Sequence, residues 1–161
     1  MATLNKLVSD GKLVRVTVPL NRGESHERLI YGLPEAIRWM RDDVPKMSVG
    51  RLQSPQTPAE QLDSMLRRWT AGHPIAYGRH LYDLMPGEDE TWELKTADLR
   101  IFGWIYRPRI FIAACGGYAD LYKGPTKQLN YEDDRRIILK ERETLDLDGE
   151  KFARGTYDEL V

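Results

Sequence analysis

One cysteine, and three each of histidine, phenylalanine and asparagine, are what this 161-residue chain has least of. A lone Cys115 excludes an intrachain disulfide and favours a reducing compartment. His26, His73 and His80 are too dispersed for a zinc site, so no metal and no other cofactor is expected. No apolar run reaches the roughly 20 residues that span a bilayer, and residues 1–10 lack the basic flank and apolar core of a signal peptide. The expectation is a cytoplasmic protein with no membrane partner. At 41% hydrophobic and 30% charged residues, the chain has the means to bury a core and is not of disordered composition.

The net charge of −1 conceals a division along the chain. Residues 95–127 hold 6 Lys/Arg against 2 Asp/Glu, whereas residues 128–161 hold 6 against 10. A basic middle beside an acidic end fits a polyanion site next to a shielding tail, or two segments that pair in the fold.

Alternation over residues 12–20 predicts a first strand, and residues 27–31 a short second one. Residues 33–44 carry helical spacing around Trp39, opened by Pro34 and closed by Pro45. Thr57, Pro58 and Glu60 form an N-terminal capping signature for a second helix over residues 58–70, with Leu62, Met65, Leu66 and Trp69 on one stripe. Trp39 and Trp69 are expected in the core. From residue 91 the period changes to 2, giving strands over 92–96, 99–106 and 109–114. Cys115-Gly116-Gly117 interrupts this pattern, and residues 118–123 are expected to resume it as an edge strand. A charged helix over 132–143 follows, and residues 145–161 read as a loosely packed acidic tail.

The strand over 99–106 has an aliphatic face of Leu99, Ile101 and Ile105, and an opposite face of Arg100, Phe102, Trp104 and Tyr106. Ile110, Ile112 and Ala114 of the next strand fit the aliphatic face, leaving Arg109 and Phe111 beside the rings. The two early helices would cover the aliphatic face. The basic, aromatic face has three readings: a second core layer under the terminal helix or tail, a platform on which bases stack, or a protein interface.

The motif Trp92-Glu93-Leu94-Lys95, then Leu99-Arg100-Ile101-Phe102, then Arg109-Ile110-Phe111-Ile112, resembles the sheet of the RelE/HigB superfamily of bacterial and phage toxins, in its phage-derived HigB-like branch. The resemblance implies an α+β fold in the order β-α-α-β-β-β, two N-terminal helices on a small antiparallel sheet, with a C-terminal helix and tail. It divides the chain into an N-terminal extension (1–26), a toxin-like domain (27–144) and an acidic tail (145–161). The activity implied is ribosome-dependent cleavage of mRNA by attack of a ribose 2′-OH on the adjacent phosphate, without a metal. The implied partners are mRNA on the ribosome and a neutralising antitoxin or other protein. Lys95, Arg100, Arg109 and Lys123 match as cationic catalytic residues, and Tyr131 as acid or stacking ring. Phe102, Trp104, Tyr106, Arg107, Phe111 and Lys127 are the implied contacts to RNA or partner. A different class of reading is a non-catalytic phage or prophage protein that uses the same face to bind a protein. After the last strand the chain carries one lysine, Lys123, where the HigB branch carries a pair.

Overall fold

The computed structural model describes residues 2–161 as an α+β protein built on a six-stranded mixed sheet. The helix α1 (Leu4–Ser9) is followed by strands β1 (Val14–Arg15) and β2 (Leu29–Gly32), then by α2 (Pro34–Arg38) and α3 (Pro58–Thr70). Strands β3 (Leu81–Asp83), β4 (Trp92–Lys95), β5 (Leu99–Arg107) and β6 (Ile110–Tyr118) precede α4 (Tyr131–Thr144) and the short α5 (Tyr157–Leu160). The sheet order is β1-β2-β6-β5-β4-β3, antiparallel throughout except that β2 runs parallel to β6. The sheet is therefore larger than the sequence predicts, and it is not wholly antiparallel.

The expected helix over 58–70 forms with its capping box complete: the Thr57 hydroxyl accepts from the Glu60 N–H, and the Glu60 carboxylate accepts from the Thr57 N–H. The expected helix over 33–44 changes pitch along its length. After Arg38 it widens into a π-helical turn (Trp39–Asp43) and then tightens into a 3-10 turn (Val44–Lys46). Pro45 has no N–H to continue an α-helical ladder, which accounts for the stop. The predicted strand over 12–20 shrinks to Val14 and Arg15, and the N-terminal helix α1, capped by Thr3, was not predicted.

Cys115-Gly116-Gly117 does not interrupt β6. A Cβ on Gly116 would stand 2.3 Å from the Trp39 ring, and one on Gly117 would stand 2.6 Å from the Tyr122 hydroxyl. The glycines face opposite sides of the sheet, and each leaves room for an aromatic ring. After Tyr118 the chain enters a 3-10 turn (Ala119–Leu121) in place of the expected edge strand.

Each face of the sheet bears a core. On one, Leu99, Ile101, Ile105, Phe111 and Ala113 pack with Trp39, Leu62, Met65, Leu66 and Trp69. On the other, Phe102, Trp104, Tyr106, Ile112 and Ala114 pack with Leu7, Leu13, Ile138, Leu145 and Leu147. The expected faces of β6 are thus reversed. The turn residues are Pro108 and Arg109, and Tyr106 is an extra residue between the pairs Ile105–Phe111 and Arg107–Ile110. A slip of one residue moves every side chain of the strand to the other face.

Residues 145–161 are not a loose tail. Leu145 and Leu147 join the aromatic core, while Ala153 and Leu160 join the other, so the segment wraps around the β5–β6 hairpin. The Trp104 indole donates to the Lys151 carbonyl at 3.0 Å, and the Tyr106 hydroxyl to the Asp148 carbonyl at 2.7 Å. The Ala153 N–H donates to the Ile105 carbonyl beside the bulge. Of the three sequence readings of the aromatic face, the second core layer is the one observed.

Candidate active-site cleft

The sheet register gathers a set of charged side chains at one end of the aromatic face. Side chains alternate along a strand, so Glu93 and Lys95 of β4 share a face. Their partners across the ladder are Phe102 and Arg100 of β5, and Tyr82 of β3 lies opposite Glu93 on the other side. Tyr131, the first residue of α4, packs over this group with its ring 6.0 Å from Phe102 and 4.9 Å from Tyr122. Asn130 fixes that position, since its side chain caps α4 by accepting from the Asp133 N–H. Gly78, Tyr82, Leu84, Glu93, Lys95, Lys123 and Tyr131 then line a cleft of about 310 Å³.

The charges in the cleft are only partly matched. Glu93 is 3% exposed and Arg100 is 8% exposed. Arg100 donates to the carbonyls of Thr96 and Leu99, at 2.7 and 2.8 Å, through a single guanidinium nitrogen. Its Nε stands 4.0 Å from Glu93 Oε2, and Lys95 Nζ stands 4.0 Å from Glu93 Oε1, both beyond hydrogen-bond reach. Lys95 donates instead to the Gly78 carbonyl at 3.0 Å and lies over the Tyr82 ring. Lys123 Nζ lies 5.9 Å from the Tyr131 ring centre.

Six buried side-chain polar atoms lack a hydrogen-bond partner among the described residues, and three of them meet here: Glu93 Oε2, Arg100 Nε and the Tyr131 hydroxyl. Buried polar groups are normally paired, so three unpaired ones, two on residues that line the cleft and the third on Arg100 behind Glu93, suit a bound polar group. Burial pushes the Glu93 carboxyl above its usual range, against the pull of Arg100, Lys95 and Lys123. Burial likewise lowers Lys95, opposed by Glu93. Tyr131 is raised by burial and then by the Glu93 charge, and Arg100 beside it pulls the other way without closing a hydrogen bond.

Of the residues matched by resemblance, Lys95, Arg100, Lys123 and Tyr131 come together at this cleft. Arg109 does not. It sits in the hairpin turn at the other end of β5, roughly 20–25 Å along the strand from Arg100, with a positive φ of 67° and its N–H on the Leu160 carbonyl. Arg107 is occupied by the carbonyls of Asp148 and Glu150. Phe102, Trp104 and Tyr106 are sealed under α4 and the C-terminal segment, and Phe111 lies on the opposite face, edge-on to Trp69. None of these four rings is open to a base. Lys127 is exposed in the loop before α4.

Glu93 was not among the residues singled out from the sequence. Its signal was the alternation in Trp92-Glu93-Leu94-Lys95, which sets a carboxylate beside a lysine on the face that carries Arg100. Burial and the neighbouring Asp134 push the Cys115 thiol far above its ordinary value, the reverse of what activates a nucleophile. No helix among the described residues is long and apolar enough to cross a membrane. No protein-family model, curated protein or solved structure matches the chain.

Proposed function

We propose that the cleft cleaves RNA without a metal, and that the chain is a toxin of the RelE/HigB type acting on mRNA in the ribosome. The convergence of Glu93 Oε2, Arg100 Nε and the Tyr131 hydroxyl, all buried and unpaired, carries this reading. A scissile phosphodiester presents the complementary groups. Glu93, its basicity raised by burial, takes the proton of the ribose 2′-OH. The 2′-oxygen forms a bond to phosphorus while the bond to the 5′-oxygen breaks. Arg100, Lys95 and Lys123 neutralise the charge that develops on the phosphate oxygens. Tyr131 remains protonated at neutral pH because its acidity is suppressed, and it donates to the leaving 5′-oxygen. The products are a 2′,3′-cyclic phosphate and a free 5′-OH. An antitoxin would neutralise the chain by occupying this cleft.

The alternative is a non-catalytic phage or prophage interaction protein. The sealing of Phe102, Trp104 and Tyr106 favours it, because those rings are lost to base stacking. The deciding experiment incubates the purified chain with mRNA in EDTA, with and without programmed ribosomes. Fragments ending in a 2′,3′-cyclic phosphate are expected, and Glu93→Gln should abolish them. Intact mRNA in both conditions, with harmless expression in bacteria, would overturn the nuclease reading.

A further inference from the structure

The cleft shares Lys95 with a second concave surface of about 410 Å³, which also includes Arg68, Arg79 and His80. That surface in turn shares Gln56, Ser64 and Arg68 with a third, of about 270 Å³, lined also by Arg67 and His73. Shared lining residues thus link the three in sequence, from the cleft to α3. Neither of the two outer surfaces contains an Asp or Glu. Two groups on the path face carboxylates: His73 Nε2 stands 2.7 Å from Glu24, and Lys95 Nζ stands 4.0 Å from Glu93.

Two of the groups along this path are held in place. Arg68 is anchored through one guanidinium nitrogen to the Pro74 carbonyl at 3.0 Å, which leaves the rest of its fork available. His80 Nδ1 accepts from the Ala76 N–H at 2.9 Å, so the ring's proton sits on Nε2. Burial first, and then the charges of Arg68 and Arg79, hold the His80 imidazole below its ordinary value. Three cationic or donor groups therefore crowd one surface with no counter-charge. An anion with regularly spaced negative groups would relieve that crowding.

We propose that the path from Lys95 through Arg79, His80 and Arg68 to Arg67 is the bed for the sugar-phosphate backbone of single-stranded RNA flanking the scissile bond. The proposal rests on the cleft being the site of cleavage. The bed grips phosphate rather than stacking bases, since Arg, His, Ser and Gln line it and no Phe, Tyr or Trp does. It supplies a local basic track on a chain whose overall charge is only −1.

The test uses a fully 2′-O-methylated single-stranded RNA, on the order of ten nucleotides long, which binds but has no free 2′-OH to attack. Its affinity is measured by fluorescence anisotropy over a range of salt for the unmodified chain, for Arg79→Gln and for Arg68→Gln with Arg79→Gln. Each phosphate contact contributes about 0.7 to the slope of log affinity against log salt. The double variant should therefore bind about tenfold more weakly at low salt, with a slope shallower by about 1.4. The exposed Arg79→Gln alone should account for about half of that change in slope. Proton NMR should show the His80 titration moving to higher pH when the oligonucleotide is bound. Unchanged affinity and slope in the variants would overturn the proposal, whether or not the chain cleaves RNA. Arginine-dependent binding by a chain that cleaves nothing would keep the bed and remove the nuclease.

Discussion

Glu93 and Arg100 lie on adjacent strands with Oε2 and Nε 4.0 Å apart, close enough to attract and too far to hydrogen-bond. Neither atom has another hydrogen-bond partner, and both residues are buried. A pair built for stability alone would close that gap, because an unpaired buried polar group costs about 1–3 kcal/mol. The gap leaves each atom with an unused hydrogen-bonding position beside the cleft that Glu93 lines.

Glu93→Gln separates function from stability. Cleavage should fall by at least about a hundredfold, the lower end of what a general base contributes. The pH dependence of stability has a definite sign. The folded-state value for Glu93 is raised above its unfolded one, so the group's contribution is fully present below about 4.5 and is lost as pH rises through the raised value. Urea denaturation at a series of pH values should find the variant gaining on the unmodified chain as pH rises above 4.5. A gap that stays constant with pH would show that Glu93 titrates as an ordinary exposed carboxyl.

Tyr131→Phe keeps the ring against Phe102 and Tyr122 and removes only the unpaired hydroxyl. Thermal unfolding should show stability unchanged or raised by up to about 1 kcal/mol. Single-turnover cleavage should slow by about 10²-fold or more. A loss of stability with normal cleavage would assign the hydroxyl a structural role.

Gly116→Ala drives a methyl group to 2.3 Å from the Trp39 ring, with β6 backbone on one side and a core indole on the other. Overpacking of this kind costs about 1–3 kcal/mol, read as a lower urea midpoint. Gly117→Ala meets Tyr122 instead, and Tyr122 stacks on Tyr131. It should reduce cleavage more than its own cost in stability explains.

Trp104→Ala should cost about 3–5 kcal/mol, since the indole is wholly buried and holds the Lys151 carbonyl. If Trp104 were a base-stacking residue, its loss would weaken RNA binding and leave the urea midpoint in place.

What the sequence disclosed depended on the range of the interaction. The cap at Thr57, the stripe of α3 and the period-2 run from Trp92 to Ala114 are set by neighbours a few residues apart, and they were legible. The faces of β6 were not, because the extra residue at Tyr106 and the second irregularity between Phe102 and Gly103 shift the register without a mark in the alternation. The glycine pair reads as a strand break until the ring of Trp39, distant in sequence, and that of Tyr122, folded back by the 3-10 turn, are brought against it. Arg109 has the same chemistry as Arg100, and only the turn geometry removes it from the cleft. Glu93 was passed over because a strand carboxylate between cations resembles an ordinary ion-pair partner until its burial and its missing hydrogen bonds are seen.

The parallel pairing of Leu29 with Ile110 and the bridge between Ala2 and Leu147 also set the order in which the molecule can assemble. Ribosomes release roughly 5–20 residues per second, so β2 waits on the order of five to fifteen seconds for β6 to be made. Non-local pairings of this kind also slow folding after synthesis. The Tyr131 wall of the cleft arrives later still, at the start of α4. A nascent chain therefore holds Glu93, Lys95 and Arg100 before it holds the surface that encloses them. On the proposed reading, a ribosome making this protein is not exposed to the finished nuclease until α4 has emerged.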